Sequence, residues 1–191
     1  MKKTFLAIAI AASFVSFGAS AATSKDEHKA AVDQASATYK TDKAACDSMK
    51  DNAKDICVSE AKGKEKVAKA EADAMYKPGA KADKKVRDAK ADAAYDTAKE
   101  KCDDQTGNAK DVCVKEAKAA QTAAKADAKV AKTASDARAG DASAAKVADE
   151  RKDASKDKRE ADYKVAKEKC DAMSGAAKDT CVADAKTKYG M

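Results

Sequence analysis

Six cysteines are the residues whose type and spacing indicate specific chemistry in this sequence. They form three pairs, with ten residues between the members of each: Cys46 and Cys57, Cys102 and Cys113, and Cys170 and Cys181. Several pairings are possible for six cysteines. The same pair recurs each time and is also the closest in sequence, so its loop closes with the smallest loss of chain entropy. The sequence therefore predicts one disulfide within each pair.

Structural disulfides are not the only role that these cysteines could have. Unpaired cysteines that pack as small apolar side chains would be unusual, because exported proteins rarely keep so many spaced free thiols. Disulfides that respond to redox stress are a further alternative, although the chain contains no Cys-x-x-Cys motif. Structural disulfides are the favoured interpretation.

Each cysteine pair lies in a segment of the same design, and the three segments align without gaps over residues 39–62, 95–118 and 163–186. Each has a tyrosine seven residues before the first cysteine and an aspartate directly after it. Glycine, asparagine and serine, which end or cap helices, lie midway between the cysteines. This pattern predicts two antiparallel helices joined by a turn that the disulfide spans.

The turns also contain candidate helix caps. Asn52 and Asn108 each precede an aspartate by three residues, and we expect them to cap the second helix of their segments. The third segment has Ala176 at this position, so Ser174 is expected to take the role there.

Composition favours helices and excludes a conventional core. Beyond residue 21 the chain has no leucine, phenylalanine or tryptophan, and its only branched aliphatic residues are Ile56 and ten valines. This content is far below that of ordinary globular domains and also excludes a deep apolar active-site pocket. Alanine, lysine and glutamate are strong helix formers. Oppositely charged residues four apart, such as Glu65/Lys69 and Asp83/Arg87, add support.

Helix breakers at Pro78-Gly79 and Gly140 separate the three segments. The sequence thus predicts an all-α fold of about six long helices that form three disulfide-clamped antiparallel hairpins, loosely packed or elongated. The helices are expected near 25–51, 53–77, 80–106, 108–138, 142–174 and 176–189. The corresponding units are a signal peptide (1–21) and hairpins at 22–78, 79–140 and 141–191. Side-by-side packing and an extended array both stay open.

The first residues have the features of an export signal. Lys2 and Lys3 precede an apolar run from Phe5 to Phe17, and small residues around Ala21 follow. This arrangement predicts a secretory signal cleaved after Ala21, because the run is too short to span a membrane. We expect a periplasmic product with no integral membrane segment after the signal is removed.

The sequence contains no group of residues whose types and spacing are typical of catalysis or ligand binding. No catalytic residue, cofactor, metal site, small-molecule substrate or nucleic-acid-binding surface is predicted. His28, the only histidine, is interpreted as a solvated side chain, and Met49 and Met173 as gap fillers near the turns.

The Ala/Lys/Asp/Glu stretches, such as residues 117–129, resemble the central helical domain of the envelope protein TolA and the hydrophilic proteins of desiccation tolerance. The whole chain resembles small, exported, alanine- and lysine-rich helical proteins of Gram-negative bacteria that are called TolA-like. This resemblance in composition implies a non-enzymatic scaffold or spacer whose partner is an envelope protein or a second copy of the chain. A stress-protective hydrophilin is the main alternative.

The export signal leads to the first prediction. Intact-mass measurement on a periplasmic extract should give a mature chain that begins at Ala22 or Thr23. A periplasmic form that keeps Met1 would contradict the predicted cleavage.

Overall fold

The computed structural model describes residues 23–191, so the predicted signal peptide lies outside the described residues. A short 3-10 turn, Cys46–Ser48, follows the first of six α-helices. The α-helices are α1 Lys25–Ala45, α2 Asp51–Tyr76, α3 Ala80–Cys102, α4 Gly107–Ala139, α5 Ala144–Cys170 and α6 Gly175–Tyr189. The predicted all-α class and the number of helices are confirmed.

The helices form a single layer of hairpins. α1 pairs with α2, α3 with α4 and α5 with α6, and each hairpin is closed by one disulfide. Within residues 23–191, Cα atoms of different α-helices come within 8 Å only where the helices are neighbours in sequence. Each hairpin therefore contacts only the hairpin before or after it, as in repeat proteins. The structure has an array in place of a bundle with a central core.

Small side chains make up the buried part of this array. The buried apolar residues are nine alanines, one valine and the first cysteine of each disulfide. A Cβ built on Gly63 of α2 would lie 2.8 Å from the Cβ of Ala93 of α3. The two helices therefore approach so closely there that only glycine fits without a shift of the neighbouring chain.

The asparagines of the turns join one hairpin to the next, and the prediction that they cap helices is wrong. The Asn52 side chain donates to the backbone carbonyl of Glu100, at 2.7 Å, and the Asn108 side chain donates to that of Glu168, at 2.8 Å. These carbonyls lie in the last turns of α3 and α5, where each also accepts the backbone N–H of Asp103 or Asp171, at 3.0 Å. The asparagine therefore supplies a second donor. Neither α2 nor α4 has a side-chain cap. Each asparagine is the second residue of its helix, whereas a cap residue must precede the first.

The third hairpin explains why the asparagine occurs only twice. Ala176 follows Cys170 by six residues, as Asn52 follows Cys46 and Asn108 follows Cys102. Within residues 23–191 α6 contacts only α5, so Ala176 faces no neighbouring helix end that an asparagine could bond. Ser174 precedes α6 but forms no side-chain cap, so that expectation is also wrong.

Ion pairs occur at matching positions of the two hairpin junctions. Between α2 and α3 they join Glu60 to Lys101 and Glu71 to Lys90, at 3.1 and 2.8 Å. At the matching positions between α4 and α5 they join Glu116 to Lys169 and Asp127 to Lys158, at 2.7 and 2.5 Å. Such exposed pairs contribute little to stability, but their repetition shows that both junctions pack in the same register.

The asparagine bonds predict a selective loss of stability. Replacing Asn52 or Asn108 with alanine should lower the free energy of unfolding by about 1 kcal/mol, because a half-buried carbonyl loses one of its two donors and the bond between the hairpins is lost. Urea unfolding followed by circular dichroism measures this change. Ala176→Asn is the matched control and should give no gain. A gain from that control, or no loss from the other two variants, would contradict the assigned role.

Candidate functional site: the disulfide-clamped turns

The three disulfides have the predicted connectivity and the same geometry. Cys46 bonds Cys57, Cys102 bonds Cys113 and Cys170 bonds Cys181, with Cα–Cα distances of 5.7, 5.6 and 5.7 Å. The first cysteine of each pair is buried and the second is half-buried. Each bond joins the last turn of one helix, or the 3-10 turn after α1, to the second turn of the next. It therefore fixes the spacing of the two helices where they enter the turn.

The turns reach this geometry through one residue with a left-handed backbone. The first residue of α2, α4 and α6 has a positive φ: 50° at Asp51, 58° at Gly107 and 55° at Gly175. Glycine adopts this conformation without a steric penalty, and aspartate is one of the few other residues that tolerate it. The residue before each is extended, so the chain reverses within a few residues and brings the cysteines together.

An ion pair accompanies each disulfide. The aspartate after the first cysteine binds a lysine of the next helix in all three hairpins: Asp47 to Lys54 at 2.9 Å, Asp103 to Lys110 at 3.0 Å and Asp171 to Lys178 at 2.8 Å. Hydrogen bonds from these lysines lower the pKa of Asp47 and of Asp171 below the usual range of a carboxyl group. Sequence reasoning noted the aspartate but missed its partner. The available signal was a lysine seven residues after each aspartate.

His28 has a structural role at the opposite end of the first hairpin. Its Nε2 lies 2.8 Å from Oδ1 of Asp73, and its ring stacks on Tyr76 with ring centroids 4.7 Å apart. The backbone N–H of Thr23 donates to the carbonyl of Met75, at 3.2 Å. These contacts attach the start of α1 to the end of α2, so the interpretation of His28 as a merely solvated side chain is wrong.

The methionines near the turns do not fill gaps, contrary to the prediction. Met49 and Met173 are 43% and 48% exposed. Met173 lines an open surface cavity together with Cys181, so it does not fill the space beside that disulfide.

The site constrains the chain and offers no reactive thiol. Every cysteine is oxidised, and residues 23–191 contain no group of three potential metal-ligating side chains. None of the described helices combines the length and apolar character needed to cross a membrane. A comparison of the chain with protein-family models, curated proteins and solved structures finds no match.

The clamps lead to a prediction about stability and size. The Cys102→Ser/Cys113→Ser variant should lose about 3 kcal/mol of unfolding free energy, because the loop of its unfolded state is no longer constrained. Urea unfolding measures the loss, and a larger hydrodynamic radius with most helical signal retained should accompany it. Cys170→Ser/Cys181→Ser is the matched control, since α6 contacts only α5 and its release should leave the first two hairpins intact. An unchanged radius after removal of the central disulfide would show that packing alone holds the hairpin.

Proposed function

We propose that the protein is a non-enzymatic structural or interaction protein of the bacterial cell envelope. Its disulfide-stabilised hairpins serve as a scaffold in the periplasm. The main support is the single-layer arrangement, because a layer one helix thick leaves two broad faces exposed to a partner. The disulfides are compatible with an oxidising compartment.

The array carries two adjoining cavities, which together are called the groove. A cavity of about 640 Å³ lies between α2 and α3, and another of about 350 Å³ lies between α1 and α2. Both are lined by Lys64, Ala68 and Glu71 of α2, so they adjoin. Gly63 and Ala93 form part of the floor of the larger one.

The groove suits a macromolecular partner better than a small substrate. Substrate pockets enclose most of the ligand surface and bring together a few polar groups. Here the polar groups at the edge already bind each other, as in the Glu60–Lys101 and Glu71–Lys90 pairs. The floor is shallow and built of small side chains that allow another chain to approach closely. These features favour an envelope protein as the partner.

A stress-protective hydrophilin is the alternative that composition favours. Charged residues are 38% of the chain and aromatic residues 4%, and the charges lie along every helix. Such a surface holds water and keeps neighbouring molecules apart. A protectant of this kind needs no defined partner, which separates it from a scaffold.

A redox-responsive thiol protein is the third candidate function. The half-buried second cysteine of each pair, Cys57, Cys113 or Cys181, would be the sulfur that a thiolate could reach.

Cross-linking in cells followed by mass spectrometry separates scaffold from protectant. A scaffold should give one reproducible cross-linked envelope protein, and Ala68→Arg should abolish that product by filling the groove. Ala124→Arg is the matched control, because Ala124 is the equivalent residue of α4, eleven residues after the second cysteine of its hairpin. A diffuse set of products that neither variant changes would contradict the scaffold and support the protectant.

A further inference from the structure

The four arginines differ from the lysines in their ion pairing. Lysines and His28 make every ion pair with a carboxylate in the described part of the chain, whereas none of the arginines does so. The arginines are Arg87, Arg138, Arg151 and Arg159. Residues 1–22 contain no aspartate or glutamate that could pair with them. Arg138 donates its Nε–H to the carbonyl of Ala134 and Arg159 donates an Nη1–H to Ser155. The guanidinium of Arg87 and the two Nη groups of Arg138 are therefore left for other anions.

Two of these arginines line the same cavity. Arg87 of α3 and Arg138 of α4 lie on a cavity of about 210 Å³ between the start of α3 and the end of α4. Ser135 and the lysines Lys84 and Lys132 also line it. The cavity is smaller than the 300 Å³ or more that encloses a whole drug-sized ligand, so its size suits a single ionic group.

The charges around the cavity leave the two arginines uncompensated. Lys84 binds Asp88 and Lys132 binds Asp136, each at 2.5 Å, so both lysines already have a carboxylate partner. Asp83 is the one acidic residue that lines the cavity, and it forms no ion pair with Arg87, although the two are four residues apart. The predicted Asp83/Arg87 helix pair is thus not formed. With the lysines neutralised, two arginines face one aspartate.

The first hairpin shows that this cavity is not a general consequence of the hairpin design. His28 precedes its first cysteine by 18 residues, as Lys84 does in the second hairpin. Tyr76 follows its second cysteine by 19 residues, as Lys132 does. In the first hairpin these two positions are filled by the stacked rings of His28 and Tyr76. In the second hairpin the same place is open and basic.

We propose that this cavity binds one phosphate group, held by the guanidinium groups of Arg87 and Arg138. A guanidinium group presents a planar fork of donors that matches two oxygens of an anion. Phosphate has enough oxygens for two such forks and carries more than one negative charge near neutral pH, whereas a carboxylate offers only two oxygens. Ser135 adds a hydroxyl donor from α4. A soluble phosphate compound and a lipid headgroup both present this group, and vesicle competition distinguishes them.

The test uses the full mature chain and inorganic phosphate as the probe. Titration followed by amide chemical shifts should show saturable binding at one site, with the changes centred on α3 near Arg87 and on α4 near Arg138. Arg87→Gln/Arg138→Gln should weaken this binding at least about tenfold, since each charge-assisted bond is worth several-fold in affinity. Arg87→Lys/Arg138→Lys keeps the charge and should also weaken it, because lysine lacks the planar fork.

The other two arginines supply the matched control. Arg151→Gln/Arg159→Gln removes the same charge from α5 and should change the phosphate affinity less than about twofold, because screening limits distant charges. An equal loss in this control would show that only net charge matters and would overturn the proposal. The absence of saturable shifts at the cavity in the unmodified protein would overturn it as well.

Vesicles identify the source of the phosphate. Phosphatidylcholine vesicles with and without phosphatidic acid are added to the protein in the presence of phosphate. A lipid site predicts that the vesicles with phosphatidic acid displace phosphate, that the vesicles without it do not, and that both cavity arginines are needed. This result supports the site and assigns it to a lipid headgroup. Phosphate binding that neither vesicle reduces supports the site and assigns it to a soluble phosphate compound.

Discussion

The lack of large apolar side chains is the constraint on which the structure depends. Nine of the thirteen apolar residues buried in the described part of the chain are alanines, and each alanine removes little apolar surface from water. Two helices that meet through alanine must come close to make contact, as α2 and α3 do where Gly63 faces Ala93. Packing of this kind offsets little of the entropy lost on folding. The covalent clamps therefore supply a large share of what holds each hairpin together.

Polar contacts set the alignment of the hairpins more than their stability. The junction ion pairs are exposed, and pairs of that kind contribute a fraction of a kcal/mol at most. Alanine surfaces are nearly featureless, so one helix can slide along another at small cost. The Glu60–Lys101 and Glu116–Lys169 pairs and the asparagine bonds of the turns favour one position over its neighbours. The alignment of the hairpins thus comes from polar side chains, whereas their stability comes largely from the disulfides.

The sequence predicted what local spacing controls and missed what depends on neighbouring hairpins. The three disulfides and the six helices followed from the spacing of the cysteines and from helix propensity. The bond from Asn52 to Glu100 joins residues 48 positions apart, so no local pattern indicated it. The replacement of the asparagine by Ala176 in the third segment was a usable signal, since a helix cap would be needed in all three segments. The basic cavity was missed because Arg87 was interpreted as the helix partner of Asp83, and because Arg87 and Arg138 lie 51 positions apart.

The two ends of the array bear on self-assembly. A chain whose units stack head to tail can add further copies through the same contact and grow into open filaments. At the outer surface of α1, Ala44 and Ala45 occupy the places of Glu100 and Lys101, and at the outer surface of α6, Ala176 occupies that of Asn108. If α1 of a second copy stacked on α6, Asp184, which stands at the place of Glu60 and Glu116, would face Ala45 and find no lysine there, and Ala176 would supply no amide. The residues on the outer surfaces of α1 and α6 thus disfavour fibre growth by that route.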